Sequence, residues 1–167
     1  MRSTTDPRGP AARTVRVPDE SALAPFARRL AASLPTPAFV TLTGDLGAGK
    51  TTLVKAVAAA LGIDPAEVVS PTFGLIHVHH VPPGSDRHAG PDRIVHADLY
   101  RLAGPGDLAE IGWEDAITAA CWVFVEWPCR AGATLPAERL DIVITADSPT
   151  ARTFTCTPQG GFRLAEW

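Results

Sequence analysis

The hydrophobic pattern of the chain opens with a helix. Between residues 19 and 34, apolar side chains recur every three or four positions, a spacing that puts them on one face of an α-helix. These side chains are Leu23, Phe26, Ala27, Leu30 and Leu34. Asp19 or Ser21 is available as the N-cap, and Pro25 is tolerated only near the first turn. We therefore predict a helix over residues 19–34.

Short runs of apolar residues further along predict buried strands. Residues 38–43 lead directly into a glycine-rich loop, and residues 50–61 follow as a helix that ends at Gly62. Residues 93–98 and 121–126 are two more such runs, and each ends in a carboxylate. Strands that are apolar on both faces are typical of parallel sheets covered by helices, so the pattern indicates an α/β fold.

The remaining periodic segments complete one domain. Residues 107–120 predict an amphipathic helix or a helix pair. Residues 140–145 and 152–157 flank an Asp-Ser-Pro turn, which predicts a C-terminal β-hairpin. Because 167 residues that are 46% apolar fit a single core, we expect one domain over residues 14–167. Its central sheet should be mostly parallel and flanked by helices.

Two segments depart from these patterns. Residues 1–13 mix Pro, Gly, Arg and Ser and contain almost no apolar side chains, so they predict a disordered tail. Residues 77–92 hold four of the five histidines, three prolines and two glycines, which predicts an exposed loop insertion. His77, His79 and His80 resemble a metal cluster, but the loop offers no cysteine and no fourth ligand at zinc-finger spacing. We interpret them as solvated loop histidines.

Composition and charge argue against several classes of protein. With 15 basic and 18 acidic residues, the chain has a net charge of −3 and no broad basic surface, so direct binding of tRNA or DNA is not expected. Its three cysteines lack C-x-x-C spacing, which argues against a disulfide framework or a zinc site. The apolar runs are far shorter than the roughly 20 residues of a membrane span. With no secretory signal pattern either, we expect a cytoplasmic protein that does not associate with membranes.

A phosphate-binding motif stands between the first predicted strand and its helix. Gly44-x-x-x-x-Gly49-Lys50-Thr51 matches Walker A, in which backbone N–H groups and Lys50 contact phosphates and Thr51 ligates Mg²⁺. The residues expected to bind the nucleotide are Gly44, Asp45, Leu46, Gly47, Ala48, Gly49, Lys50, Thr51 and Thr52. The strand before the motif and the helix after it favour a P-loop NTPase fold that binds Mg-ATP over a simple glycine-rich turn.

Two acids at strand ends supply the next part of such a site. A Mg-nucleotide site needs a carboxylate at the end of a strand beside the loop, and Glu126 and Asp98 both meet that need. Glu126 ends the most apolar strand and is the better candidate for the Walker B acid at the metal. Asp98 would polarise the attacking water or order the outer shell of the metal. Either acid alone is compatible with a solvated strand end, but two after a Walker A motif favour a site.

Two shorter features lie near these acids. Ser70-Pro71-Thr72 stands where a switch segment would pass the γ-phosphate, and Thr72 offers a hydroxyl to metal or water, although the tripeptide is also a common turn. Trp127 follows Glu126 directly, and it either packs at the edge of the core or touches the nucleotide or a partner.

In order and spacing, four motifs resemble the TsaE (YjeE) family. They are the loop at residues 44–52, Ser70-Pro71-Thr72-Phe73, His96-x-Asp98-Leu99-Tyr100-Arg101-Leu102 and Glu126-Trp127-Pro128. The resemblance covers residues 15–157 and implies an ATPase subunit of the bacterial machinery for N6-threonylcarbamoyladenosine (t6A) at position 37 of tRNA. It also implies a partner, the TsaD–TsaB heterodimer, which performs the transfer and contacts the tRNA while ATP hydrolysis resets the complex.

The resemblance implies residue roles as well. The metal ligands that it implies are Thr51 and Glu126. The catalytic residues that it implies are Lys50, Thr72 and Asp98. The nucleotide contacts that it adds to those of the loop are Glu20, Trp127 and Arg152.

Other P-loop functions stay open to different degrees. A small-molecule kinase would need an arginine-bearing lid, and neither Arg101 nor Arg130 lies in an evident lid insertion. A GTPase would need N-K-x-D and a transporter ATPase an L-S-G-G-Q-like signature, and the sequence contains neither. A binding-only subunit, whose nucleotide state sets partner affinity, differs from an ATPase only in its kinetics.

Overall fold

The computed structural model describes residues 11–72, 75–84, 90–117 and 121–165, which build a seven-stranded sheet with helical segments on both faces. The strands are β1 (Arg13–Val17), β2 (Ala38–Thr43), β3 (Ile76–His80), β4 (Arg93–Asp98), β5 (Cys121–Glu126), β6 (Arg139–Ala146) and β7 (Arg152–Gln159). The α-helices are α1 (Glu20–Ser33), α2 (Lys50–Ala60) and the short α3 (Trp113–Ala116). Four 3-10 segments are Pro65–Glu67, Pro105–Ile111, Pro128–Arg130 and Gly132–Thr134.

The sheet is mixed, with the order β1-β7-β6-β2-β5-β4-β3. Its central strands β6, β2, β5 and β4 run parallel, whereas β1, β7 and β3 pair antiparallel with their neighbours. The α/β prediction is confirmed. The sheet is mixed where a mostly parallel one was expected, because the two edge strands β1 and β3 were not anticipated. Since β2 lies between β5 and β6, the loop that leaves β2 begins in the middle of the sheet.

Helices cover the central strands on both sides. On one face α1 and α2 pack on a core that contains the fully buried Leu30, Leu53 and Phe124. On the other face a smaller core gathers around Val95 and Trp113 under the Pro105–Ile111 segment and α3. Both faces of β2, β4 and β5 are therefore dry, which explains why these three strands were recognisable as apolar runs at their observed bounds.

The predicted ends of the first two helices are also observed. Asp19 caps α1 and accepts a hydrogen bond from the Ala22 N–H at 3.1 Å. The second helix begins at Lys50, directly after Gly49. The C-terminal hairpin is present as β6 and β7, and both strands are longer than predicted.

Of the two alternatives predicted over residues 107–120, a single amphipathic helix is wrong, and the described residues form a pair of short helical pieces. The chain instead forms the 3-10 segment Pro105–Ile111 and the single turn of α3, with residues 118–120 outside the described part. Gly112 separates the two pieces in the left-handed conformation, with φ of 71°. Glycine adopts positive φ readily and is a poor helix former, so the chain can change direction at Gly112. The apolar spacing alone therefore overestimated the length of continuous helix.

The histidine-rich segment is not a loop from its start. Residues 77–80 belong to β3, where His77 is the register partner of His96 on β4. Edge strands carry polar side chains because one face or edge meets solvent, so β3 resembles a loop in sequence. Residues 85–89 and 1–10 lie outside the described residues, and Arg13, expected in the tail, already opens β1.

Candidate functional site

The Walker A loop joins the end of β2 to the start of α2, and its glycines meet two different demands. At Gly44 an added Cβ would stand 2.7 Å from the carbonyl oxygen of Ile144 and 3.0 Å from the Cβ of Ala48. Gly47 and Gly49 have φ of 76° and 108°, which side-chain-bearing residues rarely adopt. The loop therefore needs glycine for close packing at one position and for backbone conformation at two. The arrangement aims the N-terminus of α2 at the site, where backbone N–H groups favour anions.

Lys50 is nearly buried at the base of the loop, with 5% of its surface exposed. Its Nζ donates to the carbonyl oxygens of Gly44 at 2.8 Å and Asp45 at 2.9 Å. The same atom lies 4.5 Å from the centre of the Trp127 ring, a cation–π distance. Burial lowers the pKa of Lys50, and the carboxylates of Glu126, Asp98 and Asp45 act in the opposite direction. The ammonium is thus held beside the acids.

The two strand-end acids lie side by side. β4 and β5 are parallel, and Asp98 is in register with Glu126, so both carboxylates emerge at the same edge of the sheet. Glu126 Oε1 accepts a hydrogen bond from the Thr51 hydroxyl at 2.6 Å. Asp98 Oδ2 accepts from the Thr72 hydroxyl at 2.8 Å, and its Oδ1 accepts from the Tyr100 N–H at 2.9 Å. Each acid is 3% exposed.

These residues surround a cavity of about 240 Å³. Its wall includes the predicted residues Lys50, Thr51, Thr52, Thr72, Asp98, Glu126 and Trp127. Ser70 also lines it, and the Ser70 and Thr72 hydroxyls lie 2.8 Å apart. The predicted switch segment therefore lies beside Asp98, with Phe73 outside the described residues.

Trp127 closes one side of this cavity from an unusual backbone conformation. Its φ is 58° and its ψ 51°, and it stands directly before Pro128, which disfavours a right-handed helical residue. Its ring lies 4.9 Å from the ring of Tyr100. Positive φ in a bulky residue is costly and is often found at functional sites. The turn directs the indole over Lys50, where it also packs against the edge of the smaller core.

A second cavity, of about 310 Å³, shares Gly47, Gly49 and Thr52 with the first. Glu20 at the start of α1 and Arg152 at the start of β7 line it. Arg152 Nε donates to the carbonyl oxygen of Ala48 at 2.8 Å, so the side chain also braces the loop backbone. The P-loop therefore lies between two cavities, one with the acids and one with Glu20 and Arg152.

His96 is a site residue that received no role from the sequence. It is fully buried on β4, and its Nε2 lies 2.8 Å from Glu126 Oε1. The available signal was its position two residues before Asp98, which puts both side chains on the same face of the strand. The contact itself depends on the parallel pairing of β4 with β5, which the sequence did not reveal.

Two other features lie away from this site. On β3 the rings of His77 and His79 are 6.2 Å apart, and the described residues contain no group of three His, Cys, Asp or Glu side chains that could hold a metal ion. A cavity of about 510 Å³ lies where β2 and β5 begin, at the opposite end of these strands from the P-loop, lined in part by Phe39, Cys121 and Arg163.

Fold and site together define a P-loop protein of the α/β class. The sequence profile described as "Threonylcarbamoyl adenosine biosynthesis protein TsaE" matches residues 17–154. The chain belongs to the TsaE family, and this confirms the resemblance seen in its motifs. Membership assigns it to t6A modification within tRNA processing.

Relatives from several bacteria carry the same name, "tRNA threonylcarbamoyladenosine biosynthesis protein TsaE". The protein of Mycobacterium leprae is 36% identical over 132 residues, 76% of this chain and 76% of its own length. That of Bacillus subtilis is 35% identical over 149 residues, 89% of this chain and 85% of its own length. The crystal structure of Bacillus subtilis YdiB matches with a TM-score of 0.64 and 29% identity, covering 90% of this chain and 87% of that one. Among the described residues of the present structure, every helix is too short or too polar to span a membrane.

Proposed function

We propose that this protein binds Mg-ATP in its P-loop and hydrolyses it to drive a TsaD–TsaB complex in t6A modification of tRNA. The observation that carries the proposal is the meeting of Lys50 and Thr51 with two buried acids, Asp98 and Glu126, around one cavity. A glycine-rich turn with no ligand would have little reason to bury two carboxylates and an ammonium together, because buried charges are costly unless they are used or paired.

The cavity with the acids suits the phosphates. In the described structure the Lys50 ammonium is bonded to the carbonyl oxygens of Gly44 and Asp45. These are neutral acceptors, so phosphate oxygens compete well for the same donor through charge-assisted hydrogen bonds. The N-terminus of α2 contributes backbone N–H groups from the same direction. Phosphate binding then requires only that Lys50 exchange partners.

The residues beside the phosphates fit Mg²⁺. A hydroxyl and a carboxylate, from Thr51 and Glu126, already lie 2.6 Å apart, and both are hard oxygen ligands of the kind that Mg²⁺ prefers. Mg²⁺ bound there would neutralise charge on the transferring phosphoryl group. Thr51 and Glu126 would hold it, with Thr51 still able to donate its proton to Glu126.

Asp98 is the residue that we assign to the attacking water. In hydrolysis the water oxygen forms a bond to the γ-phosphorus while the bond to the β–γ bridging oxygen breaks, giving ADP and phosphate. Asp98 orients that water and accepts its proton, and the Thr72 hydroxyl, now 2.8 Å from Asp98, turns to water or phosphate. Since both oxygens of Asp98 carry hydrogen bonds in this state, we expect slow hydrolysis by the chain alone.

The second cavity is our proposed nucleoside site. It continues from the P-loop glycines, and its apolar wall from Leu23 and Phe154 suits a base. Glu20 supplies an acceptor at its edge, and Arg152, which also braces Ala48, closes the far side.

Partner binding is supported by the rim of the site. Leu46 at the tip of the loop is 84% exposed and Tyr100 is 46% exposed, so apolar surface is presented next to the phosphates. Exposed apolar surface beside a functional cavity is typical of a protein interface. The net charge of −3 agrees with tRNA being bound by the partners. A cytoplasmic location stays a prediction.

The test is ATP hydrolysis by the purified chain, alone and with its own TsaD–TsaB pair, in Mg²⁺ and in EDTA. Turnover that is low alone, raised by the pair and lost in EDTA supports the proposal. Nucleotide binding without turnover in any condition would favour the binding-only subunit. Partner-independent turnover would favour a kinase, although among the described residues neither Arg101 nor Arg130 lines either cavity.

A further inference from the structure

We propose that His96 is a positioning residue, which fixes the Glu126 carboxylate for its role at Mg²⁺. The proposal rests on the function proposed above. It assigns a task to a buried polar side chain that phosphate binding and water activation leave unused.

The sheet brings the two residues together. His96 on β4 is in register with Phe124 on β5, so Glu126, two residues further along, lies on the same face of the neighbouring strand. The distance from His96 Nε2 to Glu126 Oε1 is 2.8 Å. The side chain of His96 is 0% exposed and that of Glu126 is 5% exposed, so water does not compete for this hydrogen bond.

The bond also determines which carboxylate oxygen is engaged. Thr51 Oγ1 and His96 Nε2 both contact Oε1 of Glu126. Among the described residues, Oε2 has no such side-chain bond, and Glu126 lines the cavity of about 240 Å³. Two donors on one oxygen restrain the rotation of the carboxylate. The other oxygen then remains available to the cavity in a fixed orientation, as outer-shell hydrogen bonds do for metal ligands elsewhere.

A packing role alone does not account for a histidine here. A carboxylate accepts, so the Nε2 atom of His96 carries a proton and donates it in this bond. Nδ1 is buried and has no hydrogen-bond partner among the described residues. An apolar side chain would fill the space without that cost. The hydrogen bond from Nε2–H to Glu126 is therefore what distinguishes histidine from an apolar residue at this position.

Mg²⁺-dependent binding of a fluorescent ADP analogue to the full chain tests this role. We expect His96→Leu and His96→Asn to raise, by about tenfold, the Mg²⁺ concentration that gives half of the full gain in ADP affinity. Losing a hydrogen bond to a metal ligand weakens metal binding on that scale. His96→Gln should stay near the wild type, because the glutamine amide reaches the position of Nε2 whereas the asparagine amide reaches only that of Nδ1. For every variant, the affinity for the ADP analogue in EDTA gives the binding without Mg²⁺, against which the effect of Mg²⁺ is measured.

A second comparison asks whether His96 acts through Glu126. In a Glu126→Ala background, His96→Leu should change Mg²⁺ dependence no further. Equal Mg²⁺ dependence in the wild type, His96→Leu and His96→Asn would overturn the proposal, and so would loss of folding in all three variants, since either result makes the histidine structural. Should the wild type bind ADP with no Mg²⁺ effect, the proposed function itself fails. If Mg²⁺ tightens ADP binding equally in the wild type and in the variants, the role of His96 is rejected and the proposed function stands.

Discussion

At the scale of single residues, Asp98 and Glu126 are neighbours with different restraints. Glu126 is held by the side chains of Thr51 and His96, which belong to a helix and a strand. Asp98 is held by a backbone N–H and by the hydroxyl of Thr72, which lies in an irregular segment. Asp98 can therefore exchange one bond for a water without disturbing the sheet, whereas Glu126 cannot move freely. This difference suits Asp98 to the water and Glu126 to the metal.

The first prediction concerns Asp98→Asn. The amide can still accept from the Tyr100 N–H and contact Thr72, so folding and nucleotide affinity should be retained. Partner-stimulated phosphate release should fall about 100-fold or more, because a positioned base contributes on that scale. Steady-state phosphate release and ADP binding measure the two effects. Normal turnover by this variant would remove Asp98 from the mechanism.

The second prediction concerns Lys50→Ala. Hydrogen bonds to charged groups contribute about 1.5–3 kcal/mol, so nucleotide affinity should weaken by roughly tenfold to 100-fold, as measured by calorimetric titration. Lys55→Ala is the matched control, since Lys55 lies on the same helix and lines neither cavity. Affinities that match in the two variants would contradict the assignment of the loop.

Single residues also differ in how far they are predictable. Lys50 and Thr51 follow from a local motif, because the chemistry of phosphate binding fixes their spacing. His96 contacts Glu126 across two strands, and Arg152 contacts Ala48 from 104 positions away. No local pattern encodes such contacts, and for Arg152 only the family resemblance pointed to the site. Their tasks become clear only when the pairing of strands is known.

At the scale of elements, the turn from β2 into α2 is the tightest part of the site. The third prediction is that Gly44→Ala lowers the free energy of unfolding by about 1–3 kcal/mol, because its Cβ would collide with the backbone at Ile144. Gly106→Ala is the control, since nothing lies within 4 Å of the added Cβ, and it should change stability by less than about 1 kcal/mol. Chemical denaturation compares them. Equal stability of the two variants would mean that the β2–α2 turn has room to relax.

Strands could be predicted from the sequence where nearly all of their side chains are buried. β2, β4 and β5 are dry on both faces, so continuous apolar runs marked them. β1 and β3 lie at the two edges of the sheet. Each has only five residues, three of them polar, which is too short and too polar a signal to mark a strand. The segment Pro105–Ile111 shows the opposite error, since helical spacing of apolar residues appeared where proline and glycine prevent a regular helix.

At the scale of the whole molecule, the reactivity of the three cysteine thiols depends on whether the sheet is folded. Cys156 is buried in the sheet, where desolvation raises its pKa to about 12, and burial also raises the pKa of Cys121. Cys129 is exposed. A raised pKa leaves little reactive thiolate near pH 8, so the fourth prediction is one fast-reacting thiol in the native chain and three after denaturation. A colorimetric thiol assay counts them, with Cys129→Ser expected to remove the fast phase. Rapid reaction of all three would show that the sheet opens readily.

The contact between Arg152 and Ala48 has a consequence for biosynthesis. Residues of the P-loop leave the ribosome about a hundred positions before the arginine that braces them, given their separation of 104. β2 likewise waits for β5 and β6, its neighbours on both sides, to be translated. Because domains generally fold as units, the P-loop cannot reach its braced conformation in the early nascent chain. A prematurely terminated product that ends before β7 would therefore contain the whole P-loop sequence but lack the side chain that holds its backbone at Ala48.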